Sequence, residues 1–501
     1  MRQEHSIMYY MGIDVGTSGC KAAIIDCHGV VCAKSSRTYT LLSPQVGWLE
    51  LNPATLLEQV KQCILELYPF TKDVTGIATC SIGESMVILD EHDAPVTNCI
   101  SYLDRRLTAT EDAFTRSIAP DQLYDVTYLP VSEMYSARQL LWYQQNQPEV
   151  LARAKQILPV CNYIDYVLTG EAAIDYTQAS RTMLFDARTH SWSEEFARIL
   201  GINLRLFPKP SRCGTLVGKI RPKVAAELGL NPNASVYLGG HDQPISTLGS
   251  GVFKRGEIMM GQGSTESMNY LLTPSSNDLE LFKKDRVCLE PFIDEELFIV
   301  TLGQLCYGTS IRWFARAMEQ DLLQRSQAEG FNIYARLDEL CAPETNVIFL
   351  PYLSPVNFQI SQAVGSFIGF HSENSRAELY RALLEGLCLE SRRVKQILND
   401  RNCRFDSVVA NGGCTKSDLL MQIKADIMDC NIVTLEGREA GIMGLALLSA
   451  VSSGGYKDYA EASANMVHVR QVYTPRNNSQ YEEKYQKYLR LRDAVLDVYA
   501  I

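Results

Sequence analysis

Apolar runs broken by short Gly/Ser/Thr/Asp turns organise both halves of the chain. Met8 to Ile13 is apolar, ends in Asp14, crosses Gly16-Thr17-Ser18-Gly19 and resumes as Ala22 to Ile25. That pattern predicts two antiparallel strands joined by a hairpin. A third strand is expected over Val30 to Ala33, after the turn Cys27-His28-Gly29. Asn52-Pro53 supplies an N-cap and a first-turn proline for a helix whose apolar stripe is Leu56, Val60, Cys63, Ile64 and Leu67. Strands follow over Val74 to Cys80 and Met86 to Leu89, and the text from Asp104 to Gly170 is mostly helical in pattern. The strand Ser235 to Leu238 then gives way through Gly239-Gly240-His241-Asp242-Gln243 to a helix starting at Pro244. Beyond Val252 the opening motif returns as Glu257 to Met260, the turn Gly261 to Glu266, and Met268 to Leu272. Later come a 3.6-residue stripe from Ser375 (Leu379, Ala382, Leu383, Gly386, Leu387, Glu390), an Asn411-Gly412-Gly413 turn before a helix over 418–429, and a charged amphipathic helix from Gln480.

Two strand–turn–strand motifs, one near the start of each half, suggest two related lobes. At 501 residues the chain exceeds one ordinary core, so two domains are expected, 8–248 and 249–501. A formal charge of −11 argues against a nucleic-acid partner. The fifteen cysteines form no Cys-x-x-Cys, and Cys63, Cys80, Cys306 and Cys388 sit in apolar runs. Reduced buried thiols in a cytoplasmic protein are therefore expected. Neither a signal peptide nor a membrane span is expected: the first apolar stretch is short, and Val347 to Phe370 contains Pro351, Pro355, Asn357 and Gln359.

The turns carry the candidate chemistry. Glycine lets backbone N–H groups converge on a phosphate, Thr17 and Ser18 add hydroxyls, and Lys21 adds a positive charge. An ordinary hairpin turn is the competing reading. The arrangement differs from a P-loop; the nearest match, Gly214 to Ile220, is one residue short and lacks the Ser/Thr after lysine. Asp242, at the carboxyl end of a strand, is either a general base for phosphoryl transfer or a helix cap, and the two roles are compatible. Asp14 is either a magnesium-associated carboxylate or a turn stabiliser. Glu84 is either a sugar ligand or a loop acid. Tyr102 to Arg106 is either a sugar-binding edge or a salt-bridge cluster. The seven histidines show no zinc spacing.

The order of these motifs resembles the FGGY family of carbohydrate kinases from about Tyr10 to Tyr488. It takes in Gly12 to Gly19, Tyr102 to Arg106, Tyr163 to Gly170, Asp175 to Asp186 and Gly240 to Gln243, then Gly303 to Trp313, Arg381 to Gly386, and Gly412-Gly413 followed by Gln422 and Ala425-Asp426. The resemblance implies an α/β, two-lobed sugar-kinase, hexokinase and actin-like ATPase fold, made of two ribonuclease-H-like domains with an interdomain cleft. It also implies ATP and Mg2+. Carried across, Asp242 matches the base and Asp14 the metal-associated aspartate. Thr17, Ser18 and Lys21 match the first phosphate loop, and Gly263, Ser264 and Thr265 the second. Gly308, Gly413 and Ser417 fall where the nucleotide is contacted, and Glu84, Asp104, Asp242 and Gln243 fall on the sugar side. A homodimer is implied by analogy only.

Two departures matter. After Pro351-Tyr352-Leu353, where the family often continues with a Gly-Glu-Arg-x-Pro stretch, this chain reads Ser354-Pro355-Val356-Asn357. Ile82-Gly83-Glu84 lacks both the Met-His pair of xylulose kinases and the Arg-Glu pair of glycerol kinases. The expected substrate is a ketopentose, xylulose- or ribulose-like, with a glycerol- or erythritol-like polyol as the alternative. The rival class is an actin-like or chaperone-like nucleotide-regulated interaction protein.

Overall fold

The structure, a computed structural model, describes residues 8–354, 364–437, 439–476 and 479–499. Pro355, Val356, Asn357 and Gln359 lie outside them. The chain forms two compact units that interleave along the sequence. The first is Met1–Arg255 with Leu271–Val300 and Glu439–His468; the second is Gly256–Tyr270, Thr301–Arg438 and Val469–Ile501. The expectation was a single cut at 248/249; instead two later segments pack with the N-terminal half.

In the first unit, strands β1 (Tyr9–Val15) and β2 (Gly19–Asp26) form the expected antiparallel hairpin, and β3 (Val31–Thr38) extends it. β4 (Val74–Ser81) runs parallel to β1, and beyond β4 the sheet continues with β6 (Ser235–His241) and then β5 (Leu216–Lys219). The order is β5–β6–β4–β1–β2–β3. The helix Pro53–Leu65 begins where Asn52 caps it and buries Leu56, Val60, Cys63 and Ile64 against this sheet. The strand Met86–Leu89 lies where expected. β6 is longer than its apolar run, because Gly239, Gly240 and His241 remain in the sheet. A Cβ on Gly239 would lie 1.8 Å from the Thr79 carbonyl oxygen, so only glycine permits strand pairing there. The helix Asp242–Gly249 consequently starts two residues before Pro244.

The helix Ala440–Ser452 packs on this sheet and on the helix Asp242–Gly249. The crossing is backbone to backbone: a Cβ on Gly444 would lie 2.0 Å from the Ile245 oxygen, and one on Gly249 would lie 1.8 Å from the Ala440 oxygen.

The second unit repeats the strand order. β7 (Ile258–Gln262) and β8 (Glu266–Leu272) form an antiparallel hairpin, with β9 (Phe298–Gln304) next to β8. β10 (Ser407–Asn411) runs parallel to β7, and β11 (Asn431–Leu435) is parallel to β10, with β12 (Val469–Tyr473) antiparallel at the edge. The helix Arg376–Asn399 starts at a Ser375–Glu378 capping box. The last helix, Ser479–Tyr499, buries Tyr481, Tyr485 and Tyr488. Among the described residues no helix is long and apolar enough to cross a membrane.

Gly444→Ala tests the helix crossing in the first unit. Overpacking against the Ile245 carbonyl is expected to cost about 1–3 kcal/mol, read as a fall in unfolding temperature. An unchanged melting curve would contradict backbone contact at this point.

Candidate active site

Three parallel strands of the first unit, β1, β4 and β6, end side by side. Asp14 pairs with Cys80 in register, and His241 with Ser81. With strands spaced about 4.8 Å, Asp14 and the residue after β6 stand roughly 10 Å apart at the backbone. Carboxyl ends of parallel strands are where α/β sheets place ligands.

The first loop is closed by the Gly16 N–H donating to the Gly19 oxygen at 2.9 Å, and Tyr39 Oη donates to the Gly16 oxygen at 2.6 Å. Ser18 and Lys21 are exposed. Lys21 opposes Asp14 across the hairpin, and its Nζ lies 3.1 Å from Glu439 Oε2. Partial burial pushes the Lys21 ammonium down, but Glu439 and Asp14 together hold it above its ordinary value. Asp14 is pushed up to about 6 by burial and by the charge of Asp242, against the pull of Lys21. The two carboxylates therefore share one electrostatic neighbourhood. A Cβ on Gly441 would lie 3.5 Å from Asp14 Oδ2, so the helix Ala440–Ser452 reaches Asp14 with a bare backbone.

Asp242 is the first residue of its helix, after His241 at the cap position, and a third of its side chain is exposed. Burial and the charges of Glu84 and Glu290 raise its pKa, while His241 pulls it down. The net shift is upward, with burial its largest cause, although the carboxylate sits at a helix N-terminus, which favours its ionised form. His241 Nε2 lies 3.3 Å from Asp242 Oδ1, and its Nδ1 bonds Glu290 Oε1. Arg181 Nη1 is 3.8 Å from Glu290 Oε2, and its Nε donates to Glu84 Oε1 at 2.8 Å. Glu84 is buried, and its backbone oxygen is held by Ser136 and Gln139. Burial first, then the charges of Glu84 and Asp242, raise the Tyr102 phenol, against a lowering effect of the Thr17 hydroxyl. Gln243 follows on the same helix, partly exposed, with its backbone oxygen accepting from Thr247 Oγ1.

Asp104 has another job. Its side chain is fully buried and accepts from the Leu49 N–H at 2.6 Å, the Arg106 N–H at 2.8 Å and Arg106 Nε at 3.0 Å. The family resemblance set it on the sugar side; the structure seats its side chain among Leu49 and Arg106. The Asp104–Arg106–Glu50 cluster is a structural clamp, with the Arg106 guanidinium 3.6 Å from the Trp48 ring centre.

In the second unit, Gly263, Ser264 and Thr265 form an exposed turn between β7 and β8. The N-terminus of the helix Gly308–Ala317 docks on it. Tyr307 and Thr309 N–H groups donate to the Ser264 oxygen at 3.0 and 3.2 Å, and the Gly308 N–H donates to the Gly263 oxygen at 3.1 Å. A Cβ on Gly308 would lie 2.3 Å from that oxygen, whereas one on Gly413 would meet nothing within 4 Å. Gly413 thus borders open space, as a nucleotide contact requires. Ser417 is instead the N-cap of the helix Asp418–Met428, its Oγ accepting from the Leu420 N–H at 3.0 Å. Beneath the turn, buried Glu266 bonds Lys424 and accepts from Gln262 and Gln304 at 3.0 Å and Ser391 at 2.6 Å.

The motif reading missed Arg181 and Glu290 as site residues. A signal existed for Glu290, a lone carboxylate in the otherwise apolar Val287 to Ile293. Asp14 fits a magnesium ion that keeps most of its waters. Among the described residues no cluster of three or more protein ligands is present, and magnesium needs only one or two carboxylates beside substrate phosphates.

Two sheets of the same strand order, each opening on a Gly/Ser/Thr hairpin, define the sugar-kinase and actin-like fold class. The N-terminal domain model of the FGGY family of carbohydrate kinases matches residues 9–249, and the C-terminal domain model matches residues 272–453. The chain belongs to that family and is an ATP-dependent sugar kinase. Relatives include a xylulose kinase of Bacillus subtilis (strain 168), 25% identical over 497 residues and covering 98% of this chain and 96% of that protein. A gluconokinase of Bacillus licheniformis is 25% identical over 489 residues, with 95% and 93% covered. The solved xylulose kinase from Rhodospirillum rubrum shares the fold, with a TM-score of 0.86 at 22% identity over 98% of this chain and 99% of that one. The alternative of a non-enzymatic interaction protein is set aside.

Asp14→Asn tests the crowding of acids. Because the native Asp14 value of about 6 exceeds the unfolded value near 3.9, the native state binds more protons between these limits. Stability falls as pH rises through that window. Without added metal, Asp14→Asn is therefore expected to melt above the wild type at pH 7.5, with the gap closing toward pH 4. Equal melting at both pH values would contradict the crowding.

Proposed function

We propose that the enzyme phosphorylates a neutral sugar, a ketopentose at a terminal hydroxyl, with Asp242 as general base. The observation that carries this reading is the charge balance around Asp242. Five acids (Asp14, Glu84, Asp242, Glu290, Glu439) stand with three cations, and each cation already faces a carboxylate: Lys21 faces Glu439, Arg181 faces Glu84 and Glu290, and His241 faces Glu290 and Asp242. A sugar acid such as gluconate would bring another negative charge into this field. A neutral polyhydroxy compound meets carboxylates, which are strong acceptors for its hydroxyls.

Asp242 is exposed enough to accept the proton of the attacking hydroxyl, and its raised pKa suits that task better than an ordinary carboxylate's. The 16–18 turn of the first unit and the 263–265 turn of the second each offer backbone N–H groups and hydroxyls of the kind that donate to phosphate oxygens. Asp14 would hold Mg2+, which when bound neutralises phosphate charge. Free cysteines suit a reducing cytoplasm; a homodimer rests on family analogy alone.

A coupled assay with xylulose, ribulose, glycerol, erythritol and gluconate tests the substrate class. A ketopentose is expected to give the highest kcat/KM, and gluconate turnover above every neutral compound would overturn the proposal. Asp242→Asn is expected to lose about 10²–10⁴-fold in kcat with ATP binding retained, and near-wild-type turnover would remove the base.

A further inference from the structure

A line of alternating charges runs through the interior of the first unit and opens only at Asp242. It reads Glu84, Arg181, Glu290, His241, Asp242, with each neighbour in contact. Its first four members are 3–7% exposed. The line is tightly seated. Arg181 lies 4.8 Å over the Tyr135 ring, the His241 backbone N–H donates to Thr177 Oγ1 at 2.7 Å, and a Cβ on Gly83 would come within 2.6 Å of Arg181 and 3.0 Å of the His241 ring. Glu290 lies on the short strand Leu289–Pro291, which pairs with Phe298–Val300. It therefore comes from the sequence matched by the C-terminal family domain, yet it completes a group in the first unit.

Resting on the reading of Asp242 as base, we infer that Glu290 and His241 are positioning residues for this reaction: Glu290 fixes the His241 ring as an imidazolium whose second N–H holds and aims the Asp242 carboxylate. The chemistry of the ring leads to this assignment. Both nitrogens face carboxylate oxygens, and an imidazole has two N–H donors only when protonated. A neutral ring would leave one acid facing a lone pair in a buried site. The groups facing the ring are Glu290, Asp242 and, with opposite sign, Arg181. Burial pushes the ring down, and the two acids outweigh it, bringing it up to about 9. The sign for catalysis follows. Below that value the imidazolium favours ionised Asp242; above it, the ring loses a proton and releases the carboxylate.

The test compares kcat, and KM for sugar and ATP, from mildly acidic to strongly alkaline pH in wild type, Glu290→Gln and Glu290→Asp. In the wild type, kcat is expected to hold up to about pH 9 and then fall. In Glu290→Gln the alkaline fall is expected to move down by roughly one pH unit or more. At slightly alkaline pH, kcat drops about tenfold with KM for ATP unchanged, and Glu290→Asp recovers part of the loss. A Glu290→Gln profile that overlays the wild type overturns the inference. Should Glu290→Gln not fold, nitrogen-15 spectra of histidine-labelled wild type decide. A doubly protonated His241 ring, assigned with His241→Asn, is expected at slightly alkaline pH, and a neutral tautomer there overturns the inference. Failure of the base itself is distinct: it appears as turnover by Asp242→Asn, whatever Glu290→Gln does.

Discussion

Like charges held together against their repulsion are the constraint on which this site depends. Asp14 and Asp242 stand at the ends of strands flanking β4; burial raises the proton affinity of both, the Asp242 charge adds to it at Asp14, and Glu84 and Glu290 add to it at Asp242. Folding brings them together because the sheet registers do, and β6 reaches its last residue only because Gly239 lets it pass the Thr79 carbonyl. The cost is contained by opposite charges placed around the pair: Lys21 across the hairpin and the His241 imidazolium beside Asp242. Active sites accumulate perturbed ionisable groups for this reason, since a group poised near neutrality must be kept from its relaxed state.

The same economy shapes the scaffold. The helix Ala440–Ser452 presents Gly441 to Asp14 and Gly444 to the helix that carries Asp242. Gly444 lets the two helix backbones approach where a Cβ would lie 2.0 Å from the Ile245 oxygen, whereas a Cβ on Gly441 would make ordinary contact with Asp14. The interleaving of the units has the same consequence, because the late segments 271–300 and 439–468 bring Glu290, Glu439 and these glycines to the first unit. In the second unit buried Glu266, paired with Lys424, lies directly after the turn at Gly263, with Gln262, Gln304 and Ser391 also donating to Glu266.

Local patterns in the sequence carried far. Both hairpins, the Asn52 cap, the strand Met86–Leu89 and the helix after Ser375 follow from period, capping and turn chemistry that need no distant partner. What was illegible depends on distance along the chain. Glu290 lies 49 residues from His241, and no periodicity announces an acid that pairs across such a gap. Asp104 reads as a site acid by motif, but its partners are the Leu49 N–H and Arg106, which only the folded loop reveals. Ser417 matches a nucleotide position by order, while its hydroxyl is spent on a helix cap. The extension of β6 through Gly239 and Gly240 was hidden because paired glycines ordinarily signal a turn.

The most direct measurement of the central claim is a structure of the wild-type enzyme with a ketopentose and a non-hydrolysable ATP analogue. The account predicts an Asp242 carboxylate oxygen about 2.6–3.2 Å from the hydroxyl that becomes phosphorylated. A sugar bound with that hydroxyl facing another side chain, and Asp242 beyond hydrogen-bond reach, would contradict it.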